Sequence, residues 1–136
     1  MKSIIEINKK LVKKTILFGL CLLILDGLWL NFFMKQKYLD YFRSIKIYMS
    51  IDKLSIFIAY VIMIASYPLL IDNVNFTKGF INAIFVGIII FGTYGFTLAA
   101  IFPKYDIKFA LTETIWGIVL YAVSYLTTNY LIRFLS

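Results

Sequence analysis

Residues 80–102 read FINAIFVGIIIFGTYGFTLAAIF, a run without a single charged side chain. An α-helix needs about 20 predominantly apolar residues to cross the hydrocarbon core of a bilayer. The run therefore predicts a transmembrane helix. Three comparable apolar runs occupy residues 15–34, 54–71 and 109–132.

The composition of the whole chain supports a membrane location. Its 136 residues are 62% hydrophobic and 15% charged, whereas soluble domains carry about 25% charged residues. We therefore expect an all-α integral membrane bundle of four transmembrane helices, forming a single domain over residues 1–136. The short connections after the second and third runs predict antiparallel neighbours. Gly87, Gly92 and Gly95 are expected to let the third helix pack closely against another.

The segment between the first two apolar runs has a pattern of its own. Aromatic and apolar residues recur there at helical spacing, and charged residues mostly fall between them; they are Tyr38, Tyr41, Phe42, Ile45, Tyr48 and Met49. This pattern favours a short amphipathic helix lying in the membrane interface. A loop with interfacial tyrosines is the alternative.

The positive charge of the chain indicates a lipid partner. There are 14 Lys and Arg against 7 Asp and Glu, and they flank the apolar runs. Such placement suits phospholipid headgroups and argues against nucleic acid as a partner. The basic residues divide equally between the two sides of the membrane, but the dense N-terminal lysine cluster favours a cytoplasmic N-terminus. Since four short helices enclose little volume, a pore would require a homo-oligomer.

Two carboxylates fall inside the apolar runs, Asp26 in the first and Glu113 in the fourth. Ionisable residues are costly within a membrane and are therefore functional candidates. Each is followed three residues later by a tryptophan, Trp29 or Trp116. Residues i and i+3 share a helix face, so each carboxylate points the same way as its indole.

Further polar residues fall in the same half of the membrane. With a rise of about 1.5 Å per residue, counting from the flanking lysines places Asp26 level with Trp116 and Trp29 level with Glu113. Tyr60, Tyr94 and Thr97 lie at similar depths on the second and third helices. The predicted candidate polar cluster comprises Asp26, Trp29, Tyr60, Tyr94, Thr97, Glu113 and Trp116.

This cluster has more than one interpretation. It could handle a proton, an ion or a small solute. Alternatively, Asp26 and Glu113 could be interhelical hydrogen-bond glue in a structural or assembly protein, or the protein could be an enzyme or accessory factor of lipid metabolism. The chain has no histidine and one cysteine, and it contains no metal-ligand spacing or phosphate-binding motif. We therefore expect no metal, no cofactor and no catalytic residues, which favours the non-enzymatic interpretations.

The order of these motifs resembles the predicted membrane proteins catalogued as domain of unknown function 2177. That family has an Asp-x-x-Trp-Leu motif in helix one and a tyrosine nine residues after the tryptophan; the matching residues are Asp26, Trp29, Leu30 and Tyr38. It has an Asp-x-x-Trp-Gly motif in helix four, which Trp116 and Gly117 match, with Glu113 replacing the aspartate.

The third motif of the family is only partly present. In Gly-Thr-Tyr-Asp-x-Thr-Asn of helix three, the chain matches at Gly92, Thr93, Tyr94 and Thr97, whereas Gly95 replaces the aspartate and Leu98 replaces the asparagine. The resemblance implies a four-helix membrane protein and supplies no activity. The two lost polar groups imply that any family site in helix three is weakened or altered in this chain.

Overall fold

The computed structural model describes residues 2–29, 31, 40, 52–102 and 105–135. Four helices make up most of these residues: α1 (Lys2–Trp29), α2 (Lys53–Ile71), α3 (Phe76–Ile101) and α4 (Ile107–Leu135). The expected all-α class is confirmed. The interfacial helix expected between the first two apolar runs, including Tyr38, lies almost wholly outside the described residues.

Three of the helices, α2, α3 and α4, are long and apolar enough to cross a membrane. The described part of α1 is not among them, because lysines extend to Lys14 and Asp26 interrupts the apolar stretch that follows. Large apolar side chains cover the outside of the bundle, with Ile24, Phe57 and Ile89 all more than 60% exposed. An apolar exterior of this extent favours lipid over water as the solvent.

Two helices, α1 and α3, begin well before the apolar runs from which they were predicted. Hydropathy treats the N-terminal lysines as flanking residues, but lysine is a good helix former, and α1 is already helical at Lys2. α3 begins at Phe76 because the Asn75 side chain caps it. Its Oδ1 accepts the N–H groups of Thr77 at 3.0 Å and Lys78 at 3.3 Å, so Lys78 belongs to the first turn of α3.

Both α2 and α3 contain a wider, π-helical turn. The turn in α2 spans Tyr67–Ile71 and contains Pro68, which has no N–H to donate to the preceding turn. The N–H of Asp72 closes it on the carbonyl of Tyr67 at 2.8 Å. The turn in α3 spans Ile88–Gly92.

α4 is the central helix of the fold and packs against both α1 and α3, while α2 packs against α1 and the first half of α3. The apolar core forms where these helices meet. α1 contributes Phe18 and Leu22, α2 contributes Met63, Tyr67 and Ile71, α3 contributes Ala83 and Val86, and α4 contributes Leu120, Tyr121 and Tyr125.

The backbones of α3 and α4 come into direct contact where Gly87 meets Gly117. A Cβ atom on Gly117 would lie 2.6 Å from the Gly87 carbonyl oxygen and 2.7 Å from Cβ of Phe91. Further along the same contact, a Cβ on Gly95 would lie 3.0 Å from Cα of Ala110. The expected role of the α3 glycines in close packing is therefore confirmed at Gly87 and Gly95.

We expect Gly117→Ala to destabilise the bundle by about 2–3 kcal/mol, because the new methyl group must push one backbone away from the other. Thermal unfolding in detergent micelles would measure the loss. Gly27→Ala is the matched control, because Gly27 likewise directly follows a residue of the candidate cluster, and a Cβ there meets nothing within 4 Å. Equal stability of the two variants would contradict the close α3–α4 contact.

Candidate functional site

Asp26 lies at the centre of the candidate site and is 6% exposed. Its Oδ2 accepts a hydrogen bond from the Tyr60 hydroxyl at 2.6 Å, and its Oδ1 accepts one from Nε1 of Trp116 at 3.0 Å. One carboxylate on α1 therefore holds donors from both α2 and α4. Hydrogen bonds to a charged acceptor contribute about 1.5–3 kcal/mol each, so these bonds are strong ties between three helices.

The two tryptophans of the chain stack on each other. The ring centroids of Trp29 and Trp116 are 4.5 Å apart and the ring planes are 7° from parallel. Aromatic pairs contribute about 0.5–1.5 kcal/mol beyond the area that they bury. The stack fixes the Trp116 indole beside α1, where its N–H reaches Asp26.

Glu113 is the second buried carboxyl group of the site and is 4% exposed. It lies three residues before Trp116 on α4 and therefore on the same side of that helix. The next turn of the same side of α4 carries the Trp116 indole that donates to Asp26, so Glu113 lies in the part of α4 that faces the Asp26 region of α1. The site thus brings two carboxyl groups from different helices into one buried region.

Tyr94 and Thr97 do not join this group. Tyr94 is 52% exposed, and Thr97 is also exposed. The reason is the rotation of α3, which turns Gly92 towards Thr114 and Gly95 towards Ala110. Because successive residues are about 100° apart around a helix, Tyr94 is directed away from α4. The predicted depth of these two residues carries no information about this rotation.

A second set of polar side chains, which lies in the core of the bundle, was not predicted from the sequence. The Tyr121 hydroxyl lies 3.3 Å from both Ser66 Oγ and the carbonyl oxygen of Met63, which ties α4 to α2. Ser124 and Thr128 are fully buried on the same helix. A periodicity argument could have found them, because positions 113, 117, 121, 124 and 128 repeat at three- and four-residue intervals and mark one buried face.

Metal binding has no support in the described ranges. No three side chains of His, Cys, Asp or Glu come together in residues 2–29, 52–102 and 105–135. Asp26 and Glu113 each supply a carboxyl group, and the Tyr60 hydroxyl and the Trp116 indole both donate to Asp26. Two carboxyl groups with a hydroxyl and an indole N–H as partners can form hydrogen bonds and exchange protons.

Comparison with known protein families shows which family the chain matches. The family model described as a predicted membrane protein, DUF2177, matches residues 11–130. The chain belongs to this family. The match confirms the resemblance seen in the sequence motifs, and three residues of those DUF2177-like motifs, Asp26, Trp29 and Trp116, meet in the structure. No curated protein and no solved structure is significantly similar to the chain.

The stacked indoles provide an optical test of the site. Two parallel chromophores at 4.5 Å should couple and produce an exciton pair in the circular dichroism spectrum of the folded protein. Trp29→Phe and Trp116→Phe should each abolish it, because the chain has two tryptophans. Trp116→Phe should also lower the free energy of unfolding more than Trp29→Phe, by about 1–3 kcal/mol, because the Trp116 indole donates a hydrogen bond to Asp26. An unchanged spectrum in either variant would show that the rings are not stacked.

Proposed function

We propose that this protein binds and releases a proton within the membrane, at a carboxyl site formed by Asp26 and Glu113. The observation that carries the proposal is the difference between the two donors that hold Asp26. The Trp116 indole can only donate a hydrogen bond, whereas the Tyr60 hydroxyl can donate or accept one. The two oxygens of the carboxylate therefore have different chemical options.

This difference lets Asp26 take up a proton without losing a partner. When Asp26 is ionised, Tyr60 and Trp116 both donate to it. When a proton binds to Oδ2, the Tyr60 hydroxyl can rotate and accept a hydrogen bond from the new O–H group, while Trp116 continues to donate to Oδ1. Both oxygens of Asp26 then keep a hydrogen-bond partner in either protonation state, as buried polar groups require.

The surroundings favour exchange of a proton over permanent charge. Both donors to Asp26 are neutral groups, so neither cancels a negative charge on it. A buried charge without neutralisation is costly in a membrane, and a second carboxyl group nearby adds repulsion when both are ionised. A proton bound at either Asp26 or Glu113 removes this repulsion and one of the two buried charges.

We also propose that α1 crosses the membrane beside the other three helices, giving four spans with the N-terminus in the cytoplasm. α1 packs along α4 and α2, both of which can span. Its inner face carries Phe18, Leu22 and Asp26, while Leu20 and Ile24 are exposed on its outer face. The lysines that precede this stretch favour the cytoplasmic side.

Release of the bound proton to the opposite side of the membrane would move protons into lipid vesicles, and this movement tests the proposed activity. Purified protein in vesicles containing a pH-sensitive dye should acidify the interior under an applied membrane potential. Asp26→Asn should abolish this flux while preserving the fold, because the amide can accept from Trp116 and donate to Tyr60. Glu113→Gln should reduce it. Asp106→Asn is the control, since this exposed carboxylate caps the start of α4 and asparagine caps equally well.

A second function has its own supporting observation, which is that Asp26 receives hydrogen bonds from two other helices. In a purely structural protein, wild-type vesicles would show no flux above empty vesicles, and Asp26→Leu would unfold the bundle. Infrared spectroscopy separates the two functions as well. A carbonyl band from a protonated carboxyl group that is lost in Asp26→Asn or Glu113→Gln supports proton binding, and its absence across the pH range contradicts it.

A further inference from the structure

A cavity of about 300 Å³ lies at the end of the bundle where the α2–α3 turn meets α1, and its lining includes no residue of the Asp26 site. It is lined by Lys10, Leu11 and Lys14 of α1 and by Asp72, Asn73 and Val74 of the turn. Small-molecule sites occupy about 300–1,000 Å³. The cavity is therefore large enough for a small polar group.

The position of the cavity corresponds to the level of lipid headgroups. The apolar stretch of α1 begins directly after Lys14, and α2 ends at Ile71, directly before Asp72. Both helices thus leave the hydrocarbon region at this level. Leu69 and Leu70, in the last turn of α2, are 77% and 63% exposed and would contact acyl chains just inside it.

The charges of the lining favour an anion. Lys10 and Lys14 are four residues apart and share one face of α1. Nζ of Lys14 lies 3.5 Å from Oδ1 of Asp72, so this aspartate offsets one of the two lysines. The lining therefore carries a net charge of about +1, which matches the single negative charge of a phosphate diester.

Two further contacts hold the polar groups of the turn in place. The Tyr67 hydroxyl lies 3.4 Å from Oδ1 of Asp72, which is the same oxygen that pairs with Lys14. The side-chain oxygen of Asn73 accepts the N–H of Asn75 at 2.9 Å, which leaves its amide group to donate. The turn thus has an ordered acceptor that pairs with Lys14 and an additional donor for a phosphate oxygen.

We propose that this cavity binds the phosphate group of an anionic phospholipid, with Lys10 and Lys14 as the principal contacts. The phosphate lies between the two ammonium groups, and the acyl chains descend along the last turn of α2. Asp72 limits the affinity, because its carboxylate competes with the lipid phosphate for Lys14. This site is independent of the proposed proton site and would remain if Asp26 had a purely structural role.

Native mass spectrometry of the detergent-solubilised full chain would measure binding. We expect phosphatidylglycerol to bind at least tenfold more tightly than phosphatidylcholine, and inorganic phosphate at millimolar concentration not to displace it. If inorganic phosphate binds and phosphatidylglycerol does not, the site takes a soluble phosphate and the lipid proposal is wrong. Equal binding of the two lipids would also overturn it.

Variants that remove the same charge inside and outside the cavity distinguish a defined lipid site from general attraction between lysines and anionic lipids. A lysine near an anionic membrane surface contributes about 1 kcal/mol, which corresponds to about fivefold in affinity. Lys10→Gln should therefore weaken phosphatidylglycerol binding about fivefold, and the Lys10→Gln, Lys14→Gln double variant by about 25-fold. Lys9→Gln with Lys13→Gln removes the same charge at the same spacing from residues outside the cavity. Equal loss in both double variants would indicate diffuse attraction and contradict the site.

The Asp72→Asn variant should change the affinity for phosphatidylglycerol in the opposite direction. Removing the competing carboxylate should strengthen phosphatidylglycerol binding about fivefold, whereas a merely structural role for Asp72 would leave binding unchanged or weaken it. Unchanged or weakened binding in a variant with the wild-type melting temperature would contradict the proposed competition. Lys10→Gln, at an exposed side chain, keeps the site testable if Asp72→Asn does not fold.

Discussion

The buried carboxylate of Asp26 is the constraint on which the arrangement of the helices depends. A charged or polar group in hydrocarbon must find partners within the protein, and Asp26 finds them on two different helices, through the Tyr60 hydroxyl and the Trp116 indole. Moving α2 or α4 away from α1 would therefore break a hydrogen bond that lipid cannot replace. Apolar packing between helices has no such direction, because lipid tails are as apolar as the side chains they cover.

The central helix α4 links this polar centre to the rest of the bundle. Trp116 faces α1, the adjacent Gly117 touches the α3 backbone, and Tyr121 reaches the α2 carbonyl of Met63. Neighbouring positions on one helix thus set its distance to three others. A displacement at the Gly87–Gly117 contact would also move the indole that holds Asp26. Stability and any proton chemistry at the site are consequently coupled through α4.

Hydropathy and helical spacing predicted much of this architecture. Apolar runs of span length located α2, α3 and α4, and the shared i, i+3 spacing indicated that each carboxyl group accompanies an indole. Counting residues from the flanking lysines placed Asp26 level with Trp116, in keeping with their hydrogen bond.

The other features of the fold and of the site depend on three-dimensional information that hydropathy and helical spacing lack. The depth of a residue in the membrane does not show which way its helix is rotated. Tyr94 and Thr97 were therefore predicted to join the cluster, whereas the side of α3 that carries its glycines faces α4 and these two residues point away from it. Local capping by Asn75 and the helix propensity of lysine extend α3 and α1 beyond the limits that hydropathy marks. The cavity at Lys10 and Lys14 joins segments far apart in the chain, and no local pattern indicates their proximity.

The most direct test of this account is a double-mutant cycle between Asp26 and Tyr60. Free energies of unfolding in detergent would be measured for Asp26→Ala, Tyr60→Phe and the double variant, and then for the equivalent cycle with Tyr94→Phe. We predict a coupling energy of about 0.5–2 kcal/mol between Asp26 and Tyr60 and none between Asp26 and Tyr94. Additive effects of Asp26→Ala and Tyr60→Phe would contradict the central role of the buried carboxylate.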